Sequence, residues 1–354
     1  MTIPTEPIGS IPRPQALIDG MSAFATGRMT RQELDALAAA AIRDTIARFE
    51  ATGSPVITDG EQTKPSFATY PIHGLTTLAP DGVTIPFADG HTRQLPRLTA
   101  GPFQYGTYAE TYLQAAQRVA RVPVKQAVIS ASALSLLYPQ AGIEGYARDA
   151  FLDDLAREHE ADIRRCLQKG AHVVQVDFTE GRLAVKLDPS GQLLQSFVDL
   201  NNRVLRRFSK EQRARIGVHT CPGGDQDSTH SADVDYAGLL PGLFRLDAGN
   251  FYIQLASEPD RARVLGIIKQ HAKPHQRLFV GVIDPIDPRV ETAAEVRDRV
   301  LEAAEHIPVA QLGTTDDCGF SPFGDDTSTA RDTAFAKIRA RVEGTALAAK
   351  ALGV

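Results

Sequence analysis

His219 and Cys221 form a His-x-Cys pair at the end of Arg215 to Thr220, a run whose apolar and β-branched residues read as a strand. Residues two apart in an extended chain project to the same side, so imidazole and thiol reach the same point. Together they suit Zn2+. Cys318, in Thr314-Thr-Asp-Asp-Cys-Gly319, offers a third soft donor far away in sequence. One histidine and two thiolates leave a fourth position free for substrate, which is the open arrangement of a catalytic site. A lone cysteine is also a common small core residue, so spacing alone leaves zinc and plain packing both open. Cys166, inside Ile163-Arg-Arg-Cys-Leu167, reads as helix packing.

Donors so distant in sequence need a fold that gathers strand ends. Apolar, β-branched runs lie around Glu6 to Ile11, Ser54 to Thr58, Val122 to Ser130, Ala171 to Asp177, Arg215 to Thr220, Phe251 to Leu255, Arg277 to Ile283 and Val309 to Gly313. Amphipathic segments separate them, among them Arg31 to Ala51, Glu144 to Lys169, Leu193 to Phe208 and Ala293 to His306. This alternation predicts an α/β fold of βα units on a parallel sheet, and about eight units predict a single (β/α)8 TIM barrel. A doubly wound sheet is the alternative, because a strand count does not close a barrel. The stretch Thr76 to Phe103 breaks the rhythm. Its turn pairs Asp81-Gly82 and Asp89-Gly90 flank the alternating Val83 to Phe87 and predict an inserted β-hairpin after the second strand. Barrel enzymes carry their chemistry at the C-terminal ends of the strands. Asp59-Gly-Glu61, Asp177, His219 with Cys221, Gln254, Asp284 and Cys318 each stand at or just beyond such an end.

The chain has 354 residues, 43% hydrophobic and 23% charged, enough to bury a large core. No repeat, low-complexity tract or linker divides it, so one domain over residues 1–354 is expected. A net charge of −5 without a basic run argues against nucleic acid as a partner. No signal peptide or apolar stretch of membrane-spanning length is seen, and the three cysteines show no disulfide spacing. The expectation is a cytoplasmic protein with reduced thiols and no membrane partner, its oligomeric state open and a homo-oligomer included.

Five motifs carry a resemblance: Ile8-Gly-Ser-Ile-Pro12, Thr58-Asp-Gly-Glu61, Val174-Gln-Val-Asp177, His219-Thr-Cys221 and Asp316-Asp-Cys-Gly319. Their order and approximate spacing resemble the zinc-bearing C-terminal domain of cobalamin-independent methionine synthase, over almost the whole chain. The resemblance implies a (β/α)8 barrel, zinc on His219, Cys221 and Cys318, and a zinc-bound thiolate attacking an electrophilic carbon. It also implies substrate contacts at Ser10, and at Glu61 and Asp177, which hold the amino group of homocysteine in that family.

The departures fall on the folate side. Gln254 stands where that family has a zinc-binding glutamate, Leu137 lies in the segment that carries its pterin-stacking tryptophan, and Ile286 replaces its proton-donating histidine; the chain has no tryptophan at all. Asp177 to Leu183, His219 to Asp225 and Leu312 to Pro322 look like the epoxyalkane:coenzyme M transferase (2-hydroxypropyl-coenzyme M lyase) branch. That branch implies coenzyme M and a short epoxyalkane as partners. Ring opening would then need a proton donor, for which His230, Tyr70 and His73 are candidates. The sulfonate would need cations, for which Arg13, Lys64, and Arg182 with Lys186 are candidates. Glu61 and Asp177 keep an amino-acid thiol open, and with it a stand-alone methionine synthase-like homocysteine S-methyltransferase using a non-folate donor. A non-catalytic zinc or thiol sensor on the same barrel is the third reading.

Overall fold

In the computed structural model, which describes residues 2–354, six parallel strands form one sheet in chain order. They are β1 (Gln126–Ile129), β2 (Val174–Asp177), β3 (Ile216–Thr220), β4 (Asn250–Ile253), β5 (Arg277–Ile283) and β6 (Leu312–Asp316). Almost every residue in them is buried, as expected for parallel strands with helices on one side and a packed interior on the other.

The eight expected strands are reduced to six. The first two segments join the sheet only through single parallel bridges, Thr5 to Thr314 beside β6 and Ile57 to Val124 beside β1. Proline explains this, because Pro4, Pro7, Pro12 and Pro55 remove the N–H groups that a ladder needs. The two segments meet each other through the Ile11 N–H on the Gly60 carbonyl at 3.0 Å and Thr58 Oγ1 on the Gly9 carbonyl at 2.7 Å. The result is barrel-like, without a closed eight-strand ladder among the described residues.

The last strand also starts later than the apolar run suggests. Gln311 and Leu312 donate to the Pro308 carbonyl at 2.8 and 3.1 Å, and this turn consumes Val309 and Ala310. Helices Arg31–Ala51 and Ala293–Ala304 begin at capping boxes built by Thr30 with Glu33 and by Thr292 with Glu295. The helix expected from Glu144 starts instead at Arg148, beyond Gly145 with its φ of 72°. The terminal helix Arg331–Ala351 sends Arg341 to Asp316 at 3.2 Å, tying it to the end of β6.

Between the second segment and β1, Thr84–Pro86 pairs antiparallel with Thr92–Gln94, and Leu78–Ala79 with Arg97–Leu98. Arg93 pins this excursion over the C-terminal ends of the strands. It bonds Asp225 beyond β3 at 2.5 Å and Asp325 beyond β6 at 2.9 Å.

Candidate functional site

β3 delivers His219 and, one residue past its end, Cys221; the loop after β6 delivers Cys318. The three donor atoms lie within 4.8 Å of one another. Cys221 Sγ and Cys318 Sγ are 3.1 Å apart. Asp177 ends β2 directly beside His219 in register and accepts from its Nδ1 at 3.2 Å, orienting the ring. A buried His and two thiols converging from separate elements are a donor set that fits zinc. Hydrogen bonding from Cys221 draws Cys318 toward thiolate against the cost of burial, with His219 assisting.

Ser10, Glu61 and Asp177 line one small cleft together with His219 and Cys318. Ser10 accepts from the Ser321 N–H at 3.1 Å through its Oγ, and a Cβ on Gly319 would stand 2.1 Å from that oxygen, so only glycine lets the two loops meet there. Glu61 adopts φ 55°, a left-handed conformation rare outside glycine and often found where a side chain must be aimed at a site. Burial pushes the Glu61 carboxyl up, with Lys64 opposing and Asp177 and Asp59 adding to the rise. Burial also works against the Lys64 ammonium, but Glu61, Asp59 and Asp177 outweigh it and raise its pKa. Glu61 and Asp177 are the acidic groups that line this cleft, and no lysine or arginine lines it.

The cations expected to face an anionic substrate are all committed elsewhere. Lys64 is 1% exposed and donates to Glu61 at 2.9 Å and to the Ala127 carbonyl at 2.9 Å. Arg13 threads between loops and donates to the carbonyls of Glu61, Lys64 and Phe323 at 2.6, 2.8 and 2.9 Å. Arg182 donates to Glu258 at 2.7 Å, Gln254 Oε1 at 2.9 Å and the Val234 carbonyl at 2.7 Å. Lys186 pairs with Asp233 at 2.9 Å and the His230 carbonyl at 3.0 Å. These are clamps on the loop framework. None of these four expected sulfonate partners lines either cleft at the site. Gln254 is likewise held by Arg182 and by Ser257, at 2.6 Å.

Of the expected proton donors, Tyr70 is fully buried with its hydroxyl on Asp162, and it lines neither cleft at the site. Burial and then Asp162 lift its pKa well above the ordinary phenol value. His73 is exposed. His230 does reach the region, in a larger apolar cleft that adjoins the small polar one.

Residues missed from sequence include Asp317 and the Gly223-Gly224 pair. Asp317 accepts from the N–H groups of Leu255, Ala256 and Ser257 at 2.9, 2.8 and 2.8 Å, binding the loop after β4 to the Cys318 segment. Gly223 has φ 72°, and a Cβ there would meet His230 Nε2 at 1.8 Å. The signal for it was the Pro-Gly-Gly that directly follows Cys221.

The sequence profile of the family described as "Cobalamin-independent synthase, Catalytic domain" matches residues 3–343. The 5-methyltetrahydropteroyltriglutamate-homocysteine methyltransferases of Syntrophotalea carbinolica and Nitratidesulfovibrio vulgaris are 23% and 24% identical to the chain over 331 and 325 residues, each across 90% of it. The chain spans 40% and 39% of the length of these relatives. A B12-independent methionine synthase from Shewanella, solved with selenomethionine, superposes with a TM-score of 0.78 at 18% identity over 99% of both chains. A putative vitamin-B12-independent methionine synthase from Listeria monocytogenes gives 0.69 at 21% identity over 98% of both. At these identities the structural likenesses speak for the fold.

Proposed function

The chain belongs to the cobalamin-independent synthase catalytic-domain family, and on that premise we propose that it is a zinc-dependent thiol alkyltransferase that methylates homocysteine from a donor other than a folate. His219, Cys221 and Cys318 would hold the metal, and bound zinc lowers the pKa of a substrate thiol so that it stays thiolate near neutral pH. The observation that carries the choice of thiol is the pairing of Glu61 and Asp177 in the same small cleft as His219 and Cys318, with every neighbouring cation already bonded to protein.

The chain's own groups divide the work. Asp177 orients His219 through Nδ1. Glu61 and Asp177 present carboxylates suited to an α-ammonium, with Ser10 beside them. Ser10, Glu61, Asp177 and His219 are all buried, which strengthens each of these interactions. Coenzyme M would bring a sulfonate and no ammonium for Glu61 and Asp177 to meet, whereas the carboxylate of homocysteine arrives with an ammonium of its own that these two carboxyl groups can accept. The folate side is equally unsupported, since Leu137 is packed in the core and the chain has no tryptophan for a pterin.

Calorimetry on the zinc-loaded protein separates the two thiols. Homocysteine should bind at least about tenfold more tightly than coenzyme M, a gap of 1.4 kcal/mol or more. X-ray absorption should gain one sulfur neighbour at zinc when homocysteine is added. Tighter binding of coenzyme M, with the same added sulfur, would reinstate the epoxyalkane:coenzyme M transferase reading. An unchanged sulfur count with both thiols would make the metal structural.

A further inference from the structure

A cleft of about 560 Å³ adjoins the small polar cleft and shares Phe67, Thr179, Gly223 and Gly224 with it. Ile85, Phe87, Ile129, Leu134, Leu183 and Phe323 make its walls apolar. The charged pair on its rim is internally satisfied, because Arg93 donates to both oxygens of Asp325 at 2.9 Å. Two buried polar atoms on its lining side chains are not satisfied. Glu180 Oε2 and His230 Nδ1 have no hydrogen-bond partner, on side chains only 5% and 7% exposed.

The other Glu180 oxygen is firmly held. Oε1 accepts from Ser130 Oγ at 2.5 Å and from Ser132 Oγ, and Ser132 in turn accepts from Asn201 at 2.6 Å. Glu180 lines the cleft, one carboxyl oxygen is anchored, and the second is enclosed with no partner in the protein, so a small turn of the carboxyl toward the cleft would give that oxygen the partner it lacks. Burial, opposed by the two serine hydroxyls, pushes Glu180 up to about 7. Burial and then Lys186 and Arg182 bring His230 down to about 4. Near neutral pH the cleft therefore carries carboxylic acid in a large share of molecules, and a neutral imidazole. A charged donor would find no partner in it.

We propose that this cleft takes the alkyl donor as an uncharged, largely hydrocarbon molecule whose transferred carbon is bonded to oxygen, and that Glu180 donates the proton this oxygen needs as it leaves. The inference rests on thiol alkylation at the adjoining cluster. In the step a carbon–sulfur bond forms and the carbon–oxygen bond breaks. Its electron pair goes to oxygen, the Glu180 proton follows, and an alcohol or phenol departs. Glu180 is left as carboxylate and regains from solvent the proton that the substrate thiol released. A methyl aryl ether gives up its phenol in this way and fits the methylation proposed above; a short epoxide would take the same proton but keep its new hydroxyl on the thioether, so that nothing departs.

The test uses the zinc-loaded full chain with homocysteine and four electrophiles: iodomethane, whose leaving iodide needs no proton, methoxybenzene, epoxypropane and 5-methyltetrahydrofolate. Wild type should alkylate homocysteine with iodomethane above background and with at least one neutral oxygen donor, and the reactive one tells ether from epoxide. Glu180→Gln should lower kcat for that donor by about 100-fold with KM within about threefold, while its iodomethane rate stays within about threefold. The retained iodomethane reaction also shows that the variant is folded. Equal losses on both electrophiles would make Glu180 structural, and no loss on either would remove it from the reaction. Turnover of the folate alone, or of neither oxygen donor, would overturn the donor class. Failure of wild type with iodomethane would instead strike the thiol-alkylation reading beneath it.

Discussion

Cys221 Sγ and Cys318 Sγ lie 3.1 Å apart although 97 positions separate them in the chain. A disulfide would bring them to about 2.05 Å, so they face each other as thiols. Their meeting depends on the sheet that gathers strand ends, since one follows β3 and the other follows β6. With His219 beside them, the pair forms a local cluster of soft donors.

If that cluster is the metal site, the purified protein should hold about one zinc per chain. Cys221→Ala and Cys318→Ala should each lose it in metal analysis, whereas Cys166→Ala, altered at a buried helix position outside the cluster, should keep it. Full occupancy in both cluster variants would disprove the ligand assignment.

The carboxylates are tested by thiols that differ in their amine. Glu61→Gln should raise KM for homocysteine about 10- to 100-fold, the scale of a lost charged hydrogen bond, and leave 3-mercaptopropionate, which has no amine, within about threefold. Steady-state kinetics with a common methylating agent would show this split. A parallel rise for both thiols would mean that Glu61 supports the fold through Lys64 and does not read the ammonium.

Much of the framework was legible because its signals are local. Arg31–Ala51 and Arg277–Ile283 fall where periodicity and the β-branched run place them, and His219, Cys221 and Cys318 were visible as chemistry before any fold was known. What could not be read was partner choice. Arg13, Lys64 and Arg182 look like anion binders in a list of residues, yet each is taken by carbonyls or carboxylates from segments far away in the chain. Tyr70 is another case, its hydroxyl bonded to Asp162, 92 positions off. Glu180 gave no signal beyond its place three residues after Asp177, because its character comes from burial against Ser130 and Ser132.

Arg182 provides a stability test of the clamp role. Removing it in Arg182→Ala leaves Glu258 buried without its cation and Gln254 Oε1 without its donor. Breaking one partner of a buried ion pair typically costs about 3 to 5 kcal/mol. The denaturation midpoint should fall accordingly, with zinc content unchanged in the remaining folded protein. A variant as stable as wild type but with a raised KM for an anionic thiol would return Arg182 to the substrate.

His159 gives the fold a pH dependence whose sign is set by burial alone. It sits in helix Arg148–Gln168, 1% exposed, with Nδ1 unpaired, and burial lowers its pKa from 6.5 to about 3. Between those values the unfolded chain binds a proton that the folded chain refuses, so stability falls as pH falls. Asp162 and Glu180 act in the opposite sense, because burial raises them to about 6 and about 7 and the folded chain then holds protons that the unfolded chain has released. Comparing wild type with His159→Leu cancels those terms. The stability difference between the two should shift by about 2 kcal/mol in favour of the variant on going from pH 7.5 to pH 5, measured by urea unfolding at each pH. A difference that stays flat across this range would show that His159 takes up its proton in the folded state.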